Sequence, residues 1–392
     1  MERGIKKFLS DREKNGLLRR LAPVVCLGTG RIRACGQEYI NFSSNDYLGI
    51  SGHPRLAEAA AGKLSPALGS SASRLMTGTT TLHQELEEKI AAFKGKPAAL
   101  VFNSGYQANV GMISALCGKR DCVFSDRLNH ASITDGIRLS GAGLFRFRHN
   151  DMSHLAALLR EKRDRYDRVL IVTETLFSMD GDISPLEEMA RLKEEHGCMM
   201  MVDEAHATGI FGRNGSGLAE EKEVTDSIDI VMGTFSKALG GFGAYAAMSR
   251  AMRDYMINTC RSFIYSTALP PAVVAADLTA VDLIKTEPYR RETLFENVRR
   301  FRSRLREKGI RAEGDSRSQI VPLPISGNTE TMRLSEDLKR KGYWVTPVRP
   351  PTVPRGGERL RVSLTFDHTP EVLDRFADDI SDSYGKERKD AR

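Results

Sequence analysis

The sequence predicts an α/β fold: a large, mostly parallel sheet followed by a smaller α+β domain. Three observations predict it. From Asn41 onward, apolar runs of strand length alternate with stretches of helical period, the pattern of strand–helix–strand crossovers. The runs Ala98 to Phe102, Cys122 to Phe124, Val169 to Val172, Cys198 to Val202, Ile228 to Met232 and Tyr245 to Met248 are almost continuously apolar, as strands covered on both faces must be. After about residue 275 the composition changes to a charged helical stretch, KTEPYRRETLFENVRRFRSRLREKG, and then to short apolar runs such as Ile320 to Ile325 and Leu360 to Leu364. The predicted organisation is an arm over residues 1–40, a large α/β domain over 41–275 and an α+β domain over 276–392.

In chain order, the arm is basic and amphipathic, with Ile5, Phe8, Leu17, Leu18 and Leu21 set among Lys and Arg, and reads as a helical segment that packs on another domain or subunit. One helix should begin at a Thr81-x-x-Gln84 capping box, present Leu82, Leu86, Ile90 and Phe93 on one face and end near Gly95. Another should have Ser184 as N-cap, Pro185 at its first position and Gly197 just past its end. The final GKERKDAR reads as a solvated tail.

A chain of 392 residues has room for two or three domains with a real core. Its 41% hydrophobic and 28% charged residues exclude a disordered or fibrous protein. The 58 Lys+Arg against 51 Asp+Glu leave +7, a charge that suits anionic small molecules as well as nucleic acid. The Arg-rich stretch around 290–306 also carries Glu292, Glu296, Leu294, Phe295, Val298 and Phe301, so a solvated amphipathic helix accounts for it better than a nucleic-acid surface. No segment approaches the roughly 20 apolar residues of a membrane span. The first residues are charged where a signal peptide would be apolar, and the expectation is a cytoplasmic protein without membrane or nucleic-acid partners. Six cysteines without a CxxC pair read as reduced residues, with no metal site expected.

The chemistry gathers at the ends of the predicted strands, where open α/β sheets bind ligands. MMMVDEAHATG places Asp203 at a strand end with His206 three residues on. Taken singly, these read as an acidic cap and a satisfied histidine. IDIVMGTFSKALGGFG puts Lys237 between a buried strand and a Gly-rich turn, where desolvation makes a carbonyl-reactive amine. A lysine snorkelling from a loop is the plainer alternative. In AALVFNSGYQANVGM a strand breaks at Ser104-Gly105 and re-enters a helix whose first N–H groups can hold a phosphate. Thr234 and Ser236 can add hydroxyls to the same group. His130 follows another strand and can lay its ring on a cofactor or simply cap a helix, and Ser178 can supply a further hydroxyl or merely form a loop. An acid, two histidines, a lysine, hydroxyls and a phosphate-sized helix start are the set that pyridoxal 5'-phosphate asks for. The nucleotide-binding P-loop, GxxxxGK[ST], does not occur.

With NFSSNDYLG at 41–49, GSSASRLMTGTTTLHQELE at 69–87, RSFIYSTALPPA at 261–272 and RPPTVPRGGERLRVSLT at 349–365, the chain resembles the α-oxoamine synthases over nearly its whole length. These are pyridoxal-phosphate enzymes of the aspartate-aminotransferase fold, fold type I, whose large domain holds a mostly parallel seven-stranded sheet. The resemblance implies Lys237 as the Schiff-base lysine, Asp203 at the pyridine nitrogen, His206 on the phenolic oxygen and His130 stacked on the ring. It places Gly105, Tyr106, Ser178 and Thr234 at the cofactor, and Ser266 and Thr267 at the phosphate from a second subunit, which implies a homodimer. Arg361 with Asn45 matches the group that binds the amino acid's carboxylate, and Arg19 and Thr352 match substrate-contacting positions. Ser236 departs from several relatives, which carry glycine before the lysine. Within the family, the RPPTVP segment resembles members that condense L-alanine with a pimeloyl thioester, on CoA or acyl-carrier protein, in biotin synthesis. The alternative within the family joins glycine to acetyl-CoA, and one of another reaction type is an aminotransferase or decarboxylase.

Overall fold

The computed structural model describes residues 1–64 and 68–390, with side chains up to Tyr384. Two compact units emerge, one of residues 50–178 and 183–288, the other of 1–49, 179–182 and 289–392.

In the first unit the apolar runs become one sheet: β1 (Ala98–Phe102), β2 (Cys122–Asp126), β3 (Gly143–Phe147), β4 (Val169–Glu174), β5 (Met199–Asp203), β6 (Ile230–Thr234) and β7 (Ala244–Met248). Their order is β1-β7-β6-β5-β4-β2-β3, and β7 alone runs against its neighbours. β1, β2, β4, β6 and β7 are buried at every residue, which is why their sequences lack polar alternation. β3 lies at an edge and exposes Arg146, a charge that guards an open strand. Met112 and Ile113 of the helix Gly105–Leu116, and Ile133 and Ile137 of the helix Ala131–Ser140, pack with Val123, Val172, Met201 and Met232 in one core cluster.

The second unit contains a sheet of Val25–Gly28, Arg31–Ala34 and Gln37–Asn41, antiparallel in sequence order, with Tyr343–Trp344 added in parallel. A three-stranded sheet places Arg359–Ser363 between Ile320–Pro324 and Thr346–Val348. Helices Tyr289–Glu307 and Pro370–Asp390 enclose an aromatic stack in which Phe376 lies 3.8 Å from Phe42 and 5.6 Å from Phe301, between ring centroids. Leu294, Val298 and Phe301 are buried while Glu292 and Glu296 are exposed, the amphipathic arrangement expected of the Arg-rich stretch.

Several boundaries differ from expectation. The terminal helix covers only Glu2–Lys14 and buries none of its residues, and three strands, Val25–Gly28, Arg31–Ala34 and Gln37–Asn41, occupy the rest of the expected arm from residue 25 on. Gly30 and Gly36, at φ 66° and 78°, make the tight turns between those strands. The expected boundary near 275 falls inside the helix Pro271–Thr286, and the chain breaks instead at Glu287-Pro288. Thr80, extended at φ −98° and ψ 167°, caps the next helix one residue early, donating its N–H to His83 Nδ1 at 3.3 Å. Ser184 does not cap the helix Leu186–Glu195, because its hydroxyl donates to the Glu174 carbonyl at 2.8 Å and Pro185 takes the cap position. The expected solvated tail, 385–392, lies outside the residues whose side chains are described.

Candidate active site

The carboxyl ends of β1, β4, β5 and β6 bring together most of the residues singled out from the sequence. Asp203 is the last residue of β5 and is buried. Its Oδ1 accepts the Ala205 N–H at 2.9 Å, and its Oδ2 accepts the side-chain amide of Asn109 at 2.9 Å. Two donors on two oxygens fix the plane of the carboxylate. His206 is buried in the turn that follows, where the N–H groups of Ala207 and Thr208 return to the Glu204 carbonyl.

That turn has a support the sequence did not reveal. Lys94 Nζ lies 2.7 Å from Glu204 Oε2 and 2.9 Å from Thr208 Oγ1, with both charged side chains essentially buried. Burial pushes the lysine's pKa down, but the Glu204 carboxylate together with Tyr245 more than offsets it and the net shift is upward.

β6 ends at Thr234, whose buried Oγ1 has no hydrogen-bond partner. Gly105 opens the helix that follows β1, and a Cβ there would lie 2.8 Å from Thr234 Cγ2, so only glycine permits the approach. Ser104 caps this helix by accepting the Gln107 N–H at 3.2 Å. Gly105 and Tyr106 then present the leading N–H groups, which no turn of the same helix can satisfy. An orphaned hydroxyl beside a donor-rich helix start fits a phosphate. Ser236 is exposed and Lys237 half-buried in the turn after β6, where the Gly240 N–H donates to the Lys237 carbonyl.

His130 does cap the helix Ala131–Ser140, with Nδ1 accepting the Ser132 N–H at 3.3 Å and lying 2.7 Å from Ser132 Oγ. Capping leaves its ring plane available, and the Tyr106 ring meets it edge-on at 6.3 Å. Its pKa is lowered, first by burial, with Asp203 opposing and Lys237 adding to the shift. Tyr106 itself is exposed, and its hydroxyl donates to Asp135. Ser178 is half-buried and donates its N–H to Glu174 Oε2 at 3.2 Å. Ser266 Oγ accepts from Gln107 Nε2 at 2.5 Å, and the Thr267 carbonyl accepts from Asn103 Nδ2 at 2.9 Å, so this pair lies beside the Gly105 helix of its own chain.

In the other unit, Arg361 is buried and donates to Ser363 Oγ at 2.6 Å, Tyr47 Oη at 3.2 Å and Asn45 Oδ1 at 3.3 Å. The predicted Arg361–Asn45 pairing is present, with Tyr47 as a third member. Burial raises the pKa of the Tyr47 phenol. Arg19 donates to Thr352 Oγ1 at 2.6 Å, joining the two predicted entrance residues.

Residues 37–380 match the family described as aminotransferase class I and II. The chain belongs to this family. Its sheet is the seven-stranded, mostly parallel one expected of fold type I. The 8-amino-7-oxononanoate synthase of Geobacter metallireducens is 49% identical over 378 residues, covering 96% of each chain. That of Geotalea daltonii is 49% identical over 369 residues, 93% of this chain and 94% of the relative. Among solved structures, a serine palmitoyltransferase from S. paucimobilis with a bound PLP–myriocin aldimine superposes with a TM-score of 0.92 at 31% identity, covering 98% of this chain and 97% of that one. The 8-amino-7-oxononanoate synthase from Francisella tularensis gives a TM-score of 0.77 at 30% identity, over 89% and 99% of the two chains. No helix among the described residues is long and apolar enough to cross a membrane.

Proposed function

We propose that the chain condenses L-alanine with a pimeloyl thioester, carried on CoA or an acyl-carrier protein, to give 8-amino-7-oxononanoate, carbon dioxide and the free thiol. The observation that carries the reading is the meeting of a lysine loop, an oriented buried carboxylate and an orphaned threonine hydroxyl at the carboxyl ends of one sheet. Relatives of that name, 49% identical over nearly the full chain, supply the substrates. Pyridoxal 5'-phosphate is the cofactor, and when bound it supplies an electron sink for the alanine Cα.

Each residue then has a task. Lys237 provides the amine that holds the cofactor and, once freed, moves the Cα proton of alanine. Asp203 keeps a proton on the pyridine nitrogen, and Asn109 keeps Asp203 in plane. His206 binds the phenolic oxygen and His130 covers the ring. Gly105, Tyr106, Ser178, Thr234 and Ser236 hold the cofactor's polar groups, with Ser266 and Thr267 reaching the phosphate from a second copy in a homodimer. Arg361 binds the alanine carboxylate as a forked donor oriented by Asn45. Arg19 and Thr352 contact the incoming thioester. Six free cysteines agree with a reducing cytoplasmic setting.

The test is product analysis by mass spectrometry after incubating the pyridoxal-phosphate-loaded protein with L-alanine and pimeloyl-CoA. The amino ketone should form, and Lys237→Ala should abolish it. A Lys237→Ala protein that still turns over removes the lysine from this role.

A further inference from the structure

Glu174 is the last residue of β4 and stands opposite Asp203 in the pairing with β5. It is buried, yet it ends on a turn where a glutamate would ordinarily reach solvent. Its backbone is held at both polar atoms. The N–H donates to Asn129 Oδ1 at 3.0 Å, and the carbonyl accepts the Ser184 hydroxyl at 2.8 Å. Asn129 in turn donates to Ser125 Oγ at 2.9 Å and to the Val172 carbonyl at 2.8 Å, which ties the segment before His130 to the end of β4.

The carboxyl group extends this tie. It accepts the Ser178 N–H through Oε2 at 3.2 Å, and the backbone N–H of His130 favours the ionised form of the same carboxyl group. Oε1 is buried and has no hydrogen-bond partner. Glu174 thus ties the segment before His130 through its backbone N–H and the Ser178 turn through its carboxyl group, with Asp203 and Lys237 acting on that group electrostatically.

We propose that Glu174 is a positioning residue of this site, joining the His130 turn to the Ser178 turn so that the ring-covering imidazole and the hydroxyl stay in register. The inference rests on the cofactor reading above and deepens it. The groups facing the carboxyl are the Asp203 carboxylate from β5, the Lys237 amine from the turn after β6, and His130 from the segment after β2. Burial and the neighbouring Asp203 charge push its pKa up to about 8, against which Lys237 and the two N–H donors act only in part. Burial and Asp203 therefore favour the neutral form of Glu174, and a glutamine, neutral at every pH, keeps an acceptor for the Ser178 N–H.

The experiment titrates apoprotein with pyridoxal phosphate, following the visible absorbance of the bound cofactor, in wild type, Glu174→Ala, Glu174→Asp and Glu174→Gln. Thermal midpoints of the same apoproteins are recorded from about pH 6 to about pH 9. Glu174→Ala should weaken binding about tenfold or more by leaving the Ser178 N–H without its acceptor and removing the carboxyl group that the His130 turn packs towards. Glu174→Asp, one methylene short of the span, should fall with it and serves if the alanine variant does not fold. Glu174→Gln should bind within about twofold of wild type, since an intact acceptor retains the bond. A folded-state pKa raised above the unfolded value gives stability that is present at low pH and lost as pH rises through about 8. The wild-type midpoint should therefore fall over this window and the Glu174→Gln midpoint should fall less. Wild-type affinity in the alanine or aspartate variant, or a glutamine variant as weak as alanine, overturns the positioning role. Failure of the wild type to bind pyridoxal phosphate overturns the cofactor reading itself.

Discussion

Asn109 donates its side-chain amide to Asp203 Oδ2 at 2.9 Å and to Ser132 Oγ at 3.0 Å, linking three elements at the centre of the site. The helix after β1, the end of β5 and the helix begun by His130 are thereby held by one amide. Asn109→Leu keeps the volume but removes both donors. It should cost roughly 1–3 kcal/mol of stability and weaken pyridoxal-phosphate binding, as read by urea unfolding and cofactor titration.

The Lys94–Glu204 pair braces the turn from Asp203 to Thr208 from beneath. Lys94→Met leaves the Glu204 carboxylate buried without its cation and should destabilise the protein by about 3–5 kcal/mol. Replacing both residues with apolar ones of similar volume should recover much of the loss. A double-mutant cycle in urea measures the coupling directly.

Much of this was legible in the sequence, and the reason is burial on both faces. Strands such as AALVF and VLIVT must be apolar throughout, so their ends, and with them Asp203, Thr234 and Lys237, could be read from composition alone. Asn109, Glu174 and Tyr47 could not. A buried polar residue at a strand end or within a helix looks like an ordinary loop or surface residue until register puts it opposite a partner, as β4 puts Glu174 opposite Asp203. Lys94 was hidden likewise, because its partner Glu204 lies more than a hundred residues away. Both helix caps were missed by one residue: Thr80 takes the cap through its box with His83, and Pro185 takes it because the Ser184 hydroxyl is used on the Glu174 carbonyl.

His368 predicts a pH effect on stability. Its Nδ1 accepts the Thr365 N–H at 3.1 Å and its Nε2 pairs with the Asn41 carbonyl at 3.2 Å, an arrangement only the neutral ring can make. Burial lowers its pKa to about 4. The unfolded chain takes up the proton first, so this contribution is present above about pH 6.5 and lost as pH falls through about 4. The loss should approach about 3 kcal/mol, and chemical unfolding of His368→Gln between these pH values should show a flatter dependence than wild type.

Arg361→Lys should raise the KM for alanine about tenfold or more while leaving the KM for the thioester within about twofold, since a point charge replaces a forked donor. Steady-state kinetics with each substrate varied in turn checks this. Equal effects on both substrates would remove Arg361 from carboxylate binding.

The most direct test of the central claim is thiol release by the pyridoxal-phosphate-loaded protein, comparing L-alanine plus pimeloyl-CoA with glycine plus acetyl-CoA. Clear preference for the first pair is the predicted result. Preference for the second would contradict the assignment to 8-amino-7-oxononanoate synthesis, while leaving the fold and the strand-end site in place.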